Sequence, residues 1–226
     1  MGRKKNLTGR VRIIKAAYQL FLEHGYENVT TKQIAEQLGM AHSLLHYYYP
    51  TKQDLLTDIV NTFTAKLQSY FIAQRVELTD KPYVYGLATR LFYESLAINP
   101  KLIHIYQAAL NDGVVLRRIT KYKLEKLAIP TTGISEKTKL APYMLSGSMA
   151  QALSLYTDGE TEFDLREVIN LSLESYYTTT GVTKAWIHAT IGLIDRRLTG
   201  AFIREFLAEM GEMMGTDPDL EQKNVS

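Results

Sequence analysis

Cysteine is absent, which removes disulfides, thiolate metal sites and a cysteine nucleophile from consideration at once. No apolar run approaches the roughly 20 residues that a bilayer span requires. The basic opening MGRKKNLTGRVR leads into no apolar signal core, so a secretory leader is not expected and the expected location is the cytoplasm. There is no HExxH pair and no glycine-rich phosphate loop, and the histidines outside one short segment are scattered. The groups that an enzyme or a metal site needs are therefore not assembled, and no enzyme activity, metal or cofactor is expected. Sustained period-two alternation is also missing, as are Asn-Gly turns between apolar runs, so strands are not expected.

What is present is helical spacing in an ordinary globular composition, 46% apolar and 22% charged over 226 residues, enough to bury a core. The charge is unevenly distributed. Residues 1–52 hold eight Lys/Arg against three Asp/Glu, whereas the remainder holds eighteen against twenty-one. A basic head on a mildly acidic body fits a polyanionic partner for the head. A solvated basic tail accounts for the charge equally well.

Ile13, Ala16, Ala17, Leu20 and Phe21 form an apolar stripe that stops at Gly25, a residue suited to ending a helix. A Thr pair precedes a short helix ending at Gly39, and a third helix runs from Ser43 to Tyr48, ahead of Pro50. Thr51 opens a long helix with Asp54 as its capping partner. Further helices are expected from Pro82 to Asn99, from Lys101 to Asn111, from Glu136 to Thr157 and from Asp164 to Thr179. KYKLEKLAIPTTGISEK reads as a loop after a short helix. Val182 to Gly215 reads as one long helix or two collinear ones around Gly200, and the tail DPDLEQKNVS as disordered. Arg90 and Glu94, four apart, read as a surface ion pair; His104 and His188 read as lone histidines.

Within TKQIAEQLGMAHSLLHYYYP, Ala35 is the small residue that lets a second helix cross the first, and Gly39 supplies the chain reversal. Ile34, Leu38, Met40, Leu45 and Tyr48 are apolar where the junction needs them. This is a helix-turn-helix pattern. Together with AAYQLFLEHGYENVTTKQIAEQLGM and LLHYYYPTKQDLL, it resembles the tetracycline-repressor (TetR) family of bacterial transcription regulators. The resemblance runs from Ile13 to Leu56.

That resemblance implies an all-α fold: a three-helix DNA-binding domain, residues 1–52, joined by a long helix to a ligand-binding and dimerisation domain, residues 53–226. It implies a ligand-responsive regulator, a repressor by the family's commoner habit, acting as a homodimer on a palindromic operator in double-stranded DNA. Thr31 and Lys32 would meet phosphate. His42, Ser43 and Leu44 would reach base edges, and His46, Tyr47 and Tyr48 would touch bases or phosphates. Lys52 would clamp a phosphate. Tyr49 and Leu45 should pack inward, with Tyr48 divided between the two roles. The sequence departs from the family at Ala41, where Ser or Thr usually caps the recognition helix. Arg3, Lys4, Lys5, Arg10 and Arg12 form a basic arm that either contacts DNA or only solubilises.

In the body, PYMLSGSMAQALSLY and VINLSLESYY resemble the family's paired dimerisation helices, with Ser146, Gly147, Ser148, Ala150 and Ser154 permitting close approach. The segment after Gly181 is expected to enlarge the dimer contact or to cover one side of the ligand domain. Candidates for an effector pocket are Phe92, Tyr93, Tyr106, Met144, Met149 and Tyr156; the small-molecule effector itself is not identified. A rival reading is a membrane-surface or helix-bundle interaction protein, using the basic head on anionic lipid. It would not need Ala35 and Gly39 in register.

Overall fold

The computed structural model describes residues 2–127, 129, 133–159 and 163–215, with side chains from residue 9 onward, Pro100 excepted. Eleven helices and no strand occur among the described residues. They are α1 (Gly2–His24), α2 (Thr31–Gln37), α3 (His42–Tyr48), α4 (Lys52–Ala73), α5 (Lys81–Ile98) and α6 (Pro100–Asn111). There follow α7 (Gly113–Lys126), α8 (Glu136–Thr157), α9 (Leu165–Thr179), α10 (Lys184–Arg197) and α11 (Gly200–Met214).

Local chemistry accounts for the boundaries. Thr30 and Thr51 each close a capping box, with Gln33 and Asp54 as the reciprocal partners. Asp112 ends α6 and caps α7 by accepting from the Val114 and Val115 amides at 2.9 and 3.0 Å. It thus launches a full helix. Residues 121–126, expected in a loop, are the last turns of α7, and the proline and threonines beyond them lie outside the described residues. The 182–215 segment is two helices: the chain leaves helical geometry at Leu198, and Thr199 caps α11 through the Phe202 amide. The expected disordered tail lies outside the described residues.

Helix α4 runs through the middle and packs on α1, α6, α7 and α11. Phe63 on α4 meets Phe92, Tyr106 and Phe206 edge to face, at 5.1, 5.5 and 4.9 Å between centroids, an arrangement worth more than the area it buries. The C-terminal pair covers one side of the body: α10 lies on α5 and α9, and α11 on α1, α4 and α5. Tyr70 of α4 donates to the Phe202 carbonyl at 2.9 Å.

The largest departure from expectation is the pair Arg90 and Glu94. It is buried, Arg90 fully and Glu94 to 7% exposure. Arg90 donates to Glu94 at 2.5 Å, to Asn170 of α9 at 2.7 Å and to Asp195 of α10 at 3.0 Å, while Arg166 of α9 reaches Glu94 at 2.9 Å. One turn earlier, Gly86 lets α9 come so close that a Cβ there would lie 2.0 Å from the Tyr177 hydroxyl. The network is thus the polar seam between α5, α9 and α10. Replacing Arg90 with Met leaves Glu94 buried with only Arg166 as a partner. Breaking a buried pair in this way costs about 3–5 kcal/mol. Chemical denaturation should show that loss, and Glu94→Gln in the same chain should recover part of it.

Candidate nucleic-acid interface and interior cavity

The turn between α2 and α3 has the geometry that a helix-turn-helix demands. Ala35 is 1% exposed at the crossing, and Gly39 has φ +60°, a conformation that costs glycine little. The Met40 amide returns to the Ala35 carbonyl at 3.0 Å. Thr31 Oγ1 and His42 Nε2 lie 3.0 Å apart, tying the first residue of α2 to the first of α3.

The tyrosine triplet divides among three environments. Tyr49 is fully buried, donates to Asp58 at 2.8 Å and lies under the Arg10 guanidinium at 4.9 Å. Burial, with the Asp58 charge behind it, holds its phenol well above the ordinary tyrosine range. Tyr48 is half-buried; its hydroxyl leans on α1 at Gly9, where a Cβ would approach to 2.8 Å. Tyr47 is 74% exposed. Leu45 is buried beneath the helix, whereas His42, Ser43, Leu44 and His46 are exposed beside Tyr47, with the two imidazoles edge to face at 4.9 Å. Ala41 provides no side-chain cap for α3.

Thr31 is half-buried, and Lys32 is exposed beside Glu36 at 3.7 Å. Of the basic arm, Arg10 is turned to the body, bonded to Asp58 at 2.8 Å, and Arg12 is exposed. The Arg3, Lys4 and Lys5 side chains lie outside the described residues.

Lys52 takes a position that its sequence context did not announce. Its ammonium donates to the carbonyls of Tyr26, Val29 and Glu27 at 2.8, 3.0 and 3.5 Å and sits 4.1 Å from the Tyr26 ring. Three carbonyls engage all three ammonium donors, so a phosphate has to compete with them. Burial lowers the Lys52 pKa, and burial, aided by Glu27 and Asp112, raises Tyr26 to about 12.

In the body, Phe92 and Tyr93 of α5 line a cavity of about 30 Å³ with Val60, Thr64 and Leu67 of α4. Thr120 and Lys123 of α7 and Ser146 of α8 complete its polar side. Tyr106 lies behind Phe92 at 5.0 Å, and Met149 is buried in the core. Met144 and Tyr156 are exposed on α8 and do not line this cavity, but Met144 lines a separate recess of about 110 Å³ between α8 and α9. Sequence reasoning missed Thr120, Ser146 and Lys123. Lys123 falls in the stretch read as loop, and only knowing that α7 continues past Thr120 would have found it.

The α8–α9 pair presents a second surface. Leu140, Met144, Gly147 and Gln151 fall on one exposed face of α8, and Leu171, Ser175 and Thr178 on one exposed face of α9. Ser148 and Ser172 meet between them at 3.4 Å. The small residues of α8 therefore split, since Ser146 and Ala150 point inward.

The family model for bacterial regulatory proteins of the tetR family matches residues 13–59. The fatty acid metabolism regulator protein of Bacillus subtilis is 23% identical over 185 residues, covering 73% of this chain and 91% of that protein. The HTH-type transcriptional regulator QacR of Staphylococcus aureus is 27% identical over 88 residues, 36% of this chain and 47% of that one. Among solved structures, RolR in complex with resorcinol superimposes with a TM-score of 0.56 at 19% identity, over 83% of this chain and 95% of that one. At that identity the likeness is one of fold.

The Lys52 geometry carries a stability prediction separate from any ligand. Lys52→Met removes three bonds to carbonyls at the α1–α2 corner and should cost about 1–3 kcal/mol. A side chain that served only an absent phosphate would cost next to nothing, and thermal unfolding without DNA distinguishes the two.

Proposed function

Since the chain belongs to the tetR family of bacterial regulatory proteins, we propose that it is a ligand-responsive repressor that binds a palindromic operator as a homodimer. It carries out no catalysis and acts in the cytoplasm, where its DNA is. Residues 1–52 form the DNA-binding unit and residues 53–226 the effector and dimerisation unit.

One observation carries this reading. His42, Ser43, Leu44, His46 and Tyr47 stand exposed on a seven-residue helix whose other face is locked by Leu45 and Tyr49. Five adjacent exposed side chains on so firmly seated a helix are suited to a major groove. His42 and Ser43 offer hydrogen bonds, Leu44 an apolar contact for a thymine methyl, and His46 and Tyr47 contacts to bases or phosphates. Thr31 and Lys32 flank them as phosphate contacts. Tyr48 contributes from its edge, and Lys52 acts chiefly by fixing the α1–α2 corner. In a gel shift with DNA flanking its own coding sequence, the protein should bind specifically and lose affinity steeply with salt. Tyr47→Ala should weaken binding about tenfold or more at unchanged thermal stability, because its ring is exposed. Equal affinity in Tyr47→Ala, or no binding by the wild type at low salt, sinks the assignment.

The dimer forms by pairing α8 and α9 with the same helices of a second copy. Their exposed face is apolar and small-residued where a soluble surface would be charged, and a twofold axis through it creates a four-helix bundle. Half-sites roughly 34 Å apart then set the spacing of the two α3 helices. Light scattering should report a dimer for the wild type. Leu171→Glu combined with Met144→Glu should give a folded monomer; a dimer surviving both places the contact elsewhere.

A further inference from the structure

Lys123 is the one cation lining the interior cavity among the described residues. Its ammonium stands 4.5 Å from the Tyr85 ring centre and donates to Thr89 Oγ1 at 3.4 Å, a long contact. Among the described residues no carboxylate pairs with it. The groups around it are Tyr85, Thr89 and Tyr93 of α5, Thr120 of its own helix and Ser146 of α8, all neutral. Burial alone drives Lys123 down to about 8. A second polar group beside it is also unspent: Tyr85 is fully buried, stacked on Tyr176 at 4.5 Å, and its hydroxyl has no hydrogen-bond partner. A half-buried ammonium without a counter-charge, and a fully buried hydroxyl without an acceptor, each cost the empty fold stability. A negatively charged acceptor in the cavity would supply the counter-charge that Lys123 lacks.

We propose that the cavity receives a small organic carboxylate, its apolar body against Phe92 and Tyr93 and its charged oxygens on the Lys123 ammonium. This rests on the reading of the body as effector-responsive and adds the charge and class of the effector. The Ser146 hydroxyl, which lines the cavity and accepts from Thr120 at 3.2 Å, supplies the second donor. Charge-assisted bonds are roughly twice as strong as neutral ones. The cavity as it stands holds about one water, so the anion enters only as α7 parts from α4 and α5.

The test uses the full-length protein with benzoate and octanoate, each against its uncharged counterpart, benzamide and octan-1-ol. Calorimetry should detect the anions, and a tenfold excess over Kd should raise the melting temperature by about 3–6 °C; the neutral pair should do neither. Lys123→Met should keep the fold, melt no lower than the wild type without ligand, and bind the anions at least tenfold more weakly. Lys123→Arg should retain part of the affinity. Wild-type anion binding should hold between pH 6 and 7 and decline above about pH 8, as the ammonium loses its proton; Lys123→Met should show no such decline. The sign of the ligand-free stability is also fixed. The folded pKa of about 8 lies below the ordinary 10.5, so the unfolded chain binds more protons between them. Wild-type stability therefore rises over that interval relative to Lys123→Met.

Equal binding of neutral and charged probes, unchanged anion affinity in Lys123→Met, or no binding of either anion at 10 mM overturns the proposal. The gel shift on ligand-free protein, run in parallel, keeps the two readings apart. DNA binding that survives while the anions fail discards only the effector class. Anion binding without DNA binding discards the regulator and leaves the site.

Discussion

Three side chains in the first two turns of α4 hold the helix-turn-helix end and the body in one frame. Lys52 gathers the carbonyls that follow α1, Asp54 accepts from Thr51 and from Arg118 of α7 at 2.8 Å, and Asp58 accepts from Tyr49 of the α3 end and Arg10 of α1. Burial works against the Asp54 charge, but the bonds from Thr51 and Arg118 outweigh it and hold its carboxyl below the ordinary range. Exposed ion pairs such as Arg118–Asp54 and Arg10–Asp58 contribute about 0–1 kcal/mol each, so these two carboxylates supply little of the stability. Leu55, Leu56 and Ile59, at 0–1% exposure on the same turns, supply it. The polar trio supplies direction. Apolar burial lets α4 rotate or slide at little cost, whereas three directional bonds to α1, α3 and α7 allow one register.

The parts that were legible in the sequence are those whose cause is local. Thr30 with Gln33 and Thr51 with Asp54 are capping boxes readable from spacing alone, and Gly39 marks a turn that only a positive φ can make. Tyr49 and Leu45 could be assigned inward because a seven-residue helix has one protected face. The misreadings came where a distant element decides. Arg90 and Glu94 stand four apart, as countless solvated pairs do, and are buried only because α9 and α10 converge over Gly86. Met144 carries the same composition cue as Met149, yet one faces out and the other in. The carbonyls after α1 that surround the Lys52 ammonium could not be read from its own neighbourhood either. Lys123 was hidden by a polar stretch that resembles a loop when α7 is assumed to have ended.

The bundle is not equally braced on all sides. At its far end α4 is strapped to α11: Tyr70 bonds to Phe202, Gln74 to Glu205 at 2.9 Å, and Lys66 to Glu209. The buried Arg90 network fixes α5 to α9 and α10. Helix α7 packs closely on α4 but is tied by fewer polar links: the Arg118–Asp54 bridge, whose arginine is half exposed, and two long hydroxyl contacts, Thr120 to Ser146 and Lys123 to Thr89. That bridge and the cavity lysine are five residues apart on one helix, about 7.5 Å along its axis. Whatever displaces α7 at Lys123 therefore acts on Asp54, the capping-box partner of Thr51 where α4 leaves the helix-turn-helix.

On the proposed function, the small volume of the cavity bears on how such a displacement would couple to DNA. A site with room for about one water takes an organic molecule poorly until it widens. The ligand's whole free energy then falls on the open conformer, which is the limiting case of population shift. If the open form makes up about 1% of the free protein, apparent affinity is lowered about a hundredfold, or about 2.7 kcal/mol, and saturation completes the switch. A looser, preformed pocket would bind more tightly and switch less completely, because a ligand that fits both states moves neither. The unpaired ammonium acts in the same direction. It makes the empty closed state less stable than an apolar core would be, and so keeps the opening cost within reach of a small ligand.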